Sequence, residues 1–159
     1  MRFHPTSLLT GLLLLGCGDI HHYPELEGCQ IESSQGIRLL TGEQADIEAL
    51  DGQTLNLTYG FQGGYHVYAG VLLDEEPVGA VKLSLNMCQG DTVVARGRGQ
   101  ATVQKTSEGY RSGAHLVYVL HDYQASQLHG KEGSLNVLAE DDTGRRWSKR
   151  ITVLPKCCD

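Results

Sequence analysis

Apolar and polar residues alternate with period two along much of the chain. Leu55, Leu57, Tyr59 and Phe61 alternate with Thr54, Asn56, Thr58 and Gly60. Val81, Leu83, Leu85 and Met87 alternate with Lys82, Ser84, Asn86 and Cys88. Leu116, Tyr118 and Leu120 alternate with His115, Val117, Val119 and His121. A period of two marks a β-strand with one buried face. Further strands are expected at 37–40, 45–50, 66–73, 92–96, 100–106, 134–140 and 146–154. About ten short runs with Gly-rich punctuation predict a sandwich or barrel. The punctuation has turn chemistry: Asp51-Gly52, Gly63-Gly64, Gln89-Gly90-Asp91 and Asp141-Asp142-Thr143-Gly144 supply positions that tolerate positive φ. The last of these is expected to join 134–140 and 146–154 as antiparallel neighbours. Gly97-Arg98-Gly99 also reads as a turn. Helix is confined to a turn or two within Glu43–Leu50 and a short link within Tyr123–Gly130, because no stretch sustains a 3.6 period. The expected fold is all-β: an immunoglobulin-like antiparallel β-sandwich of roughly seven to nine strands, with Trp147 in or near its core beside Ile151 and Val153.

Composition bounds the function classes. The chain has 159 residues, enough for one domain, and 20 glycines, in keeping with a turn-rich fold. Its formal net charge of −6 argues against a protein that coats nucleic acid, which needs a basic footprint. The charge is uneven. Residues 17–80 carry 11 acids and one base, Arg38, whereas residues 81–159 carry 11 bases and eight acids. Arg96, Arg98, Lys105 and Arg111 form one basic stretch, and Arg145, Arg146, Lys149 and Arg150 another. Acidic early strands packed beside basic late ones explain this best; a basic face for an anionic glycan or acidic partner is the other reading.

The N-terminus reads as an address. Arg2 is a short positive region, and Leu8, Leu9 and Leu12 to Leu15 form an apolar core too short to span a bilayer stably. It ends in Leu14-Leu15-Gly16-Cys17. These four residues resemble the lipobox of bacterial lipoproteins, Leu-(Ala/Ser/Leu)-(Gly/Ala)-Cys. The resemblance covers only the first 17 residues. It implies that residues 1–16 are removed, that the Cys17 thiol carries diacylglycerol, and that the new amino group is acylated. Several acyl chains anchor stably where one does not. Residue 18 is Gly rather than the Asp that retains proteobacterial lipoproteins in the inner membrane. By that resemblance the expected location is the outer membrane. Residues 17–28 are then a tether and 29–159 the domain.

Four cysteines remain: Cys29, Cys88, Cys157 and Cys158. An even number in an exported chain reads as disulfides. A bond between adjacent cysteines is strained, so Cys157 and Cys158 are each expected to pair with one of Cys29 and Cys88, in an order left open. Metal binding by Cys157-Cys158 is disfavoured, because the chain has no Cys-x-x-Cys.

The most distinctive stretch is Phe61-Gln62-Gly63-Gly64-Tyr65-His66-Val67-Tyr68. If Val67, Ala69, Val71 and Leu73 face the core, Tyr65 is inward beside the turn, and His66 and Tyr68 point out as a possible ligand-contact patch. The stretch is similar to ones in secreted bacterial lipoproteins with sandwich-like domains, a likeness that implies no activity. Among the other histidines, His115 and His121 stand about 20 Å apart along one strand, too far to share an ion. His66, His121 and His129 are the candidate ligands of a copper or zinc alternative. Asp74-Glu75-Glu76 and Asp141-Asp142 lack the spacing of a calcium loop and read as solvated turns. No Gly-x-Ser-x-Gly, His-Glu-x-x-His or phosphate-binding loop is present. The expected function is therefore non-enzymatic binding or scaffolding at the cell envelope. The partners would be membrane lipid through Cys17 and an envelope protein or glycan, with neither cofactor nor nucleic acid. A metal-binding lipoprotein and, less favoured, a small hydrolase are the alternatives.

Overall fold

The computed structural model describes residues 22–61 and 63–157. The signal peptide, Cys17, His21 and Cys158 lie outside them. In chain order the strands are β1 (Ile37–Thr41), β2 (Ile47–Glu48), β3 (Gln53–Asn56), β4 (Thr58–Tyr59), β5 (Tyr65–Leu73) and β6 (Val81–Gln89). They continue with β7 (Thr92–Ala101), β8 (Gln104–Thr106), β9 (Gly109–Arg111), β10 (His115–Val119), β11 (Gly133–Glu140) and β12 (Arg146–Lys156). One short helix, α1 (Ala125–Leu128), falls inside the expected 123–130 link. The all-β reading holds. Nine strands follow the main path, in the order β2-β1-β5-β10-β7-β6-β11-β12-β3.

The sheet curls so that its inner face closes on one core. Inward residues of β1, β5, β6, β10, β11 and β12 meet there, among them Leu39, Val71, Leu83, Val117, Val137 and Ile151. Trp147 joins this core, with the Arg145 guanidinium 4.4 Å over its ring. The curl is closed at β12. Residue Ser34, leading into β1, hydrogen-bonds to Ser148 along the first half of β12, and β3 pairs in parallel with its second half. That β12–β3 pair makes the sheet mixed rather than wholly antiparallel.

Three local expectations are corrected. Gly97-Arg98-Gly99 is not a turn: β7 runs unbroken from Thr92 to Ala101. The glycines are there for close approach. A Cβ on Gly97 would stand 2.4 Å from the Leu116 carbonyl oxygen, and one on Gly99 would stand 2.0 Å from His115 Nδ1. A Gly97→Ala variant is expected to lose about 1–3 kcal/mol, because β7 and β10 must separate. Gly113→Ala, with nothing within 4 Å of its Cβ, is the near-neutral control in the same urea titration.

The second correction concerns the cysteines. Cys29 pairs with Cys88, Cα atoms 5.9 Å apart, rather than either with the C-terminal pair. Cys157 is also disulfide-bonded. The Cys29–Cys88 bond fastens part of the expected tether to the sheet. Pro24 is buried, its carbonyl accepts from Ser84 Oγ at 2.6 Å, and the Gly28 carbonyl accepts from Asn86 Nδ2 at 2.7 Å. Ser84, Asn86, Ser134 and Asn136 are polar yet buried, because this segment covers the outer face of β6 and β11.

The third correction is Asp141, expected in a solvated turn. The turn does join β11 to β12, but the Asp141 side chain is fully buried. Its carboxylate accepts from the amides of Val78, Thr143 and Arg145, from Thr143 Oγ1 at 2.6 Å and from Arg145 Nε at 3.3 Å. Asp142 Oδ2 accepts from the Ala80 amide. The two aspartates hold the 74–80 loop against the hairpin.

Candidate functional site

The Gly63-Gly64 signal is a hairpin between β4 and β5, with Thr58 opposite His66 and Tyr59 opposite Tyr65. The Gly60 amide donates to the Gly64 carbonyl at 2.8 Å, and the Gly63 amide to the Gly60 carbonyl at 3.0 Å. Gly63 (φ 79°) and Gly64 (φ 142°) occupy backbone that side chains disfavour. A tight loop thus stands over the first residues of β5.

Strand β5 has the expected phase. Val67, Ala69, Val71 and Leu73 face the core, and Tyr65 packs partly against it. His66 and Tyr68 are on the opposite face. Their rings meet edge to face with centroids 4.9 Å apart, and Tyr118 closes the other side of His66 at 5.6 Å. A Cβ on Gly60 would stand 3.1 Å from His66 Cε1, so the loop backbone lies against the imidazole edge. His66 is therefore only 4% exposed, although it points away from the core. Neither ring nitrogen has a hydrogen-bond partner among the described residues.

These groups form a recess of about 240 Å³. His66 lies at its floor, and Tyr68, Tyr118 and Leu116 line it together with Thr58, Tyr59, Phe61 and the glycine loop; the Tyr59 ring itself meets Tyr65 edge to face, centroids 5.2 Å apart. The rim is unusually apolar: Phe61 is 98%, Tyr59 65% and Tyr118 41% exposed. Exposed aromatic side chains thus gather around the concavity. Among the described residues no carboxylate, lysine or arginine lines it. Arg96 stands just beyond, since β7 places it directly opposite Tyr118, with Arg98 two residues further along the same strand. Both are exposed, and neither side chain forms an ion pair or hydrogen bond with a described residue.

Alternation alone does not bring Tyr59, Phe61 and Tyr118 to this recess. The alternation of 54–61 puts Tyr59 and Phe61 on the buried face with Leu55 and Leu57. Instead the chain changes partners at Leu57: β3 lies along β12, β4 along β5, and Tyr59 and Phe61 emerge. In β10 the inward residues are Val117 and Val119, so Tyr118 faces out.

The other candidates are dispersed. His121 is exposed, with Nε2 3.0 Å from Asp122 Oδ1. His129 Nδ1 is 3.1 Å from the Cys157 amide and 2.8 Å from its carbonyl oxygen. His66, His121 and His129 are not brought together, and no group of three or more potential metal ligands exists among the described residues. His115 packs over Gly99, and burial holds its imidazole pKa below the ordinary range. Asp74, Glu75 and Glu76 are engaged by Arg38, Arg145 and the Tyr110 hydroxyl respectively. No helix among the described residues is long and apolar enough to cross a membrane.

No family model and no curated protein matches the chain. Among solved structures, murine CRIg is similar at 11% identity, over 77% of this chain and 98% of that one, with a TM-score of 0.30. The N-terminal domain of PorA is similar at 11% identity, over 76% of this chain and 97% of that one, with a TM-score of 0.31. The all-β assignment of this chain rests on its own strands and their register.

Proposed function

We propose that this chain is an exported, lipid-anchored envelope protein whose β-domain binds a partner through the aromatic recess around His66. The observation that carries the binding role is a buried imidazole with two unpartnered nitrogens under an exposed aromatic rim. A buried polar group left without a hydrogen bond costs about 1–3 kcal/mol, and a group maintained at that cost calls for a role. Binding is favoured over hydrolysis because, among the described residues, no carboxylate lines the recess to orient the imidazole and no hydroxyl is hydrogen-bonded to it. The Cys29–Cys88 bond supports an oxidising compartment. The lipobox-like Leu14-Leu15-Gly16-Cys17 supports the anchor, and Gly18 supports the outer membrane.

The test is intact mass of the protein purified from membranes, before and after reduction, beside a Cys17→Ser variant. The expected wild-type mass is that of the chain from Cys17 plus acyl groups, rising by about four hydrogens for two disulfides on reduction. The variant is expected unlipidated and unprocessed. An acylated Cys17 has no thiol left to bridge, so anchor and second disulfide are read in one spectrum. An unmodified wild-type mass rules the anchor out.

A further inference from the structure

We infer that the recess binds an acidic sugar, its ring held against the aromatic walls and His66, and its anionic substituent met by Arg96. This rests on the reading of the recess as a binding site and assigns the class of ligand.

Three features select the ligand. Among the described residues the lining carries three tyrosines, one exposed phenylalanine and Thr58, with Leu116 its one large aliphatic side chain. Such walls suit a ring with a C–H face to stack and a hydroxyl edge to hydrogen-bond; an aliphatic ligand gains more from branched aliphatic walls. The floor is an imidazole, each of whose nitrogens is donor or acceptor according to tautomer. Sugar hydroxyls have the same dual capacity, so either tautomer is satisfied. Finally, among the described residues charge is absent from the lining and present at the rim. An ion inside the recess would be desolvated without a counter-charge. A carboxylate or phosphate carried on a sugar would instead reach Arg96, the exposed guanidinium beside Tyr118 with no ion-pair partner among the described residues. Directly paired residues on one sheet face have Cβ atoms about 5 Å apart, so one ligand spans both.

The experiment follows the His66 Cε1–Hε1 NMR resonance in the full chain, purified in a sugar-free detergent. Glucuronate, glucose 6-phosphate, glucose, acetate, inorganic phosphate and an acetyl-Asp-Tyr-amide peptide are titrated separately. The expected result is a saturable shift with glucuronate or glucose 6-phosphate, and whichever binds tighter identifies the source of the charge. Glucose is expected to bind about tenfold more weakly, and Arg96→Ala to remove that advantage, as loss of one charge-assisted hydrogen bond implies. Tyr118→Ala is expected to abolish the shift, with circular dichroism confirming the fold. Equal binding of glucose and the acidic sugars overturns the inference, as does an equal shift with acetate or phosphate alone. If only the peptide moves His66, the sugar assignment falls and the binding site stands. If nothing moves it, both fall.

Discussion

A Cys29→Ala, Cys88→Ala variant is expected to lose about 4 kcal/mol of unfolding free energy. The bond closes a loop with a sequence separation of 59. Opening such a loop returns about 4 kcal/mol of chain entropy to the unfolded state. The folded state changes as well. Residues 22–30 are held to the sheet by this bond and by a few hydrogen bonds: Ser84 donates to Pro24, Asn86 to Gly28, Gln30 to Asp91, and Arg150 to Gln30. Without it the segment is expected to detach at modest further cost, because what it covers is Ser84, Asn86, Ser134 and Asn136 rather than an apolar face. Urea titration measures the loss, and limited proteolysis should cut near Glu25 or Glu27 while the sheet survives. A loss below about 1 kcal/mol would show that the unfolded chain is already constrained there.

Asp141→Asn carries the second large effect, and that effect depends on pH. Burial by itself raises the Asp141 pKa. Hydrogen bonds from the Thr143 hydroxyl and from the amides of Val78, Arg145 and Thr143 outweigh it, and the pKa falls from 3.8 to about 2. A lowered carboxyl pKa stabilises the fold wherever the group is ionised, here by about 2 kcal/mol. The contribution is complete above about pH 4 and is lost as pH falls towards 2. Asparagine keeps one acceptor oxygen but not the charge. The variant is therefore expected to be less stable at pH 7 by about 2 kcal/mol and to converge with wild type near pH 2. Urea titrations at pH 7, 5, 3 and 2 follow the gap. A gap of constant size across that range would mean that lost geometry, not lost charge, is responsible.

The recess shows how far local pattern reaches. In β5 one face of the alternation, Val67 to Leu73, is wholly apolar, so the phase is legible and puts His66 and Tyr68 on the other face, where the structure has them. In β10 both faces are apolar: Leu116 and Tyr118 on one, Val117 and Val119 on the other. Size and hydrophobicity favour burying the first set. Register decided otherwise, because Tyr118 lies opposite His66 and must share its face. The apparent continuous strand 54–61 fails for a similar reason. Period two is unchanged when a chain leaves one neighbour for another, so nothing local marks the switch at Leu57 that exposes Tyr59 and Phe61.

The sequence alone determined the strand-rich class, most strand positions, the Asp141–Gly144 hairpin and the outward His66–Tyr68 pair. Each follows from backbone periodicity or turn chemistry within about ten residues, where side-chain alternation and positive-φ preferences act. Only the tertiary structure decided that Cys29 meets Cys88, that Gly97 and Gly99 serve close strand approach, that Asp141 is buried, and that aromatic residues from β5 and β10 flank one imidazole. Those contacts join residues far apart in the chain. Their formation depends on which strands become neighbours and in what register, a choice set by closing the whole core and not by any one segment.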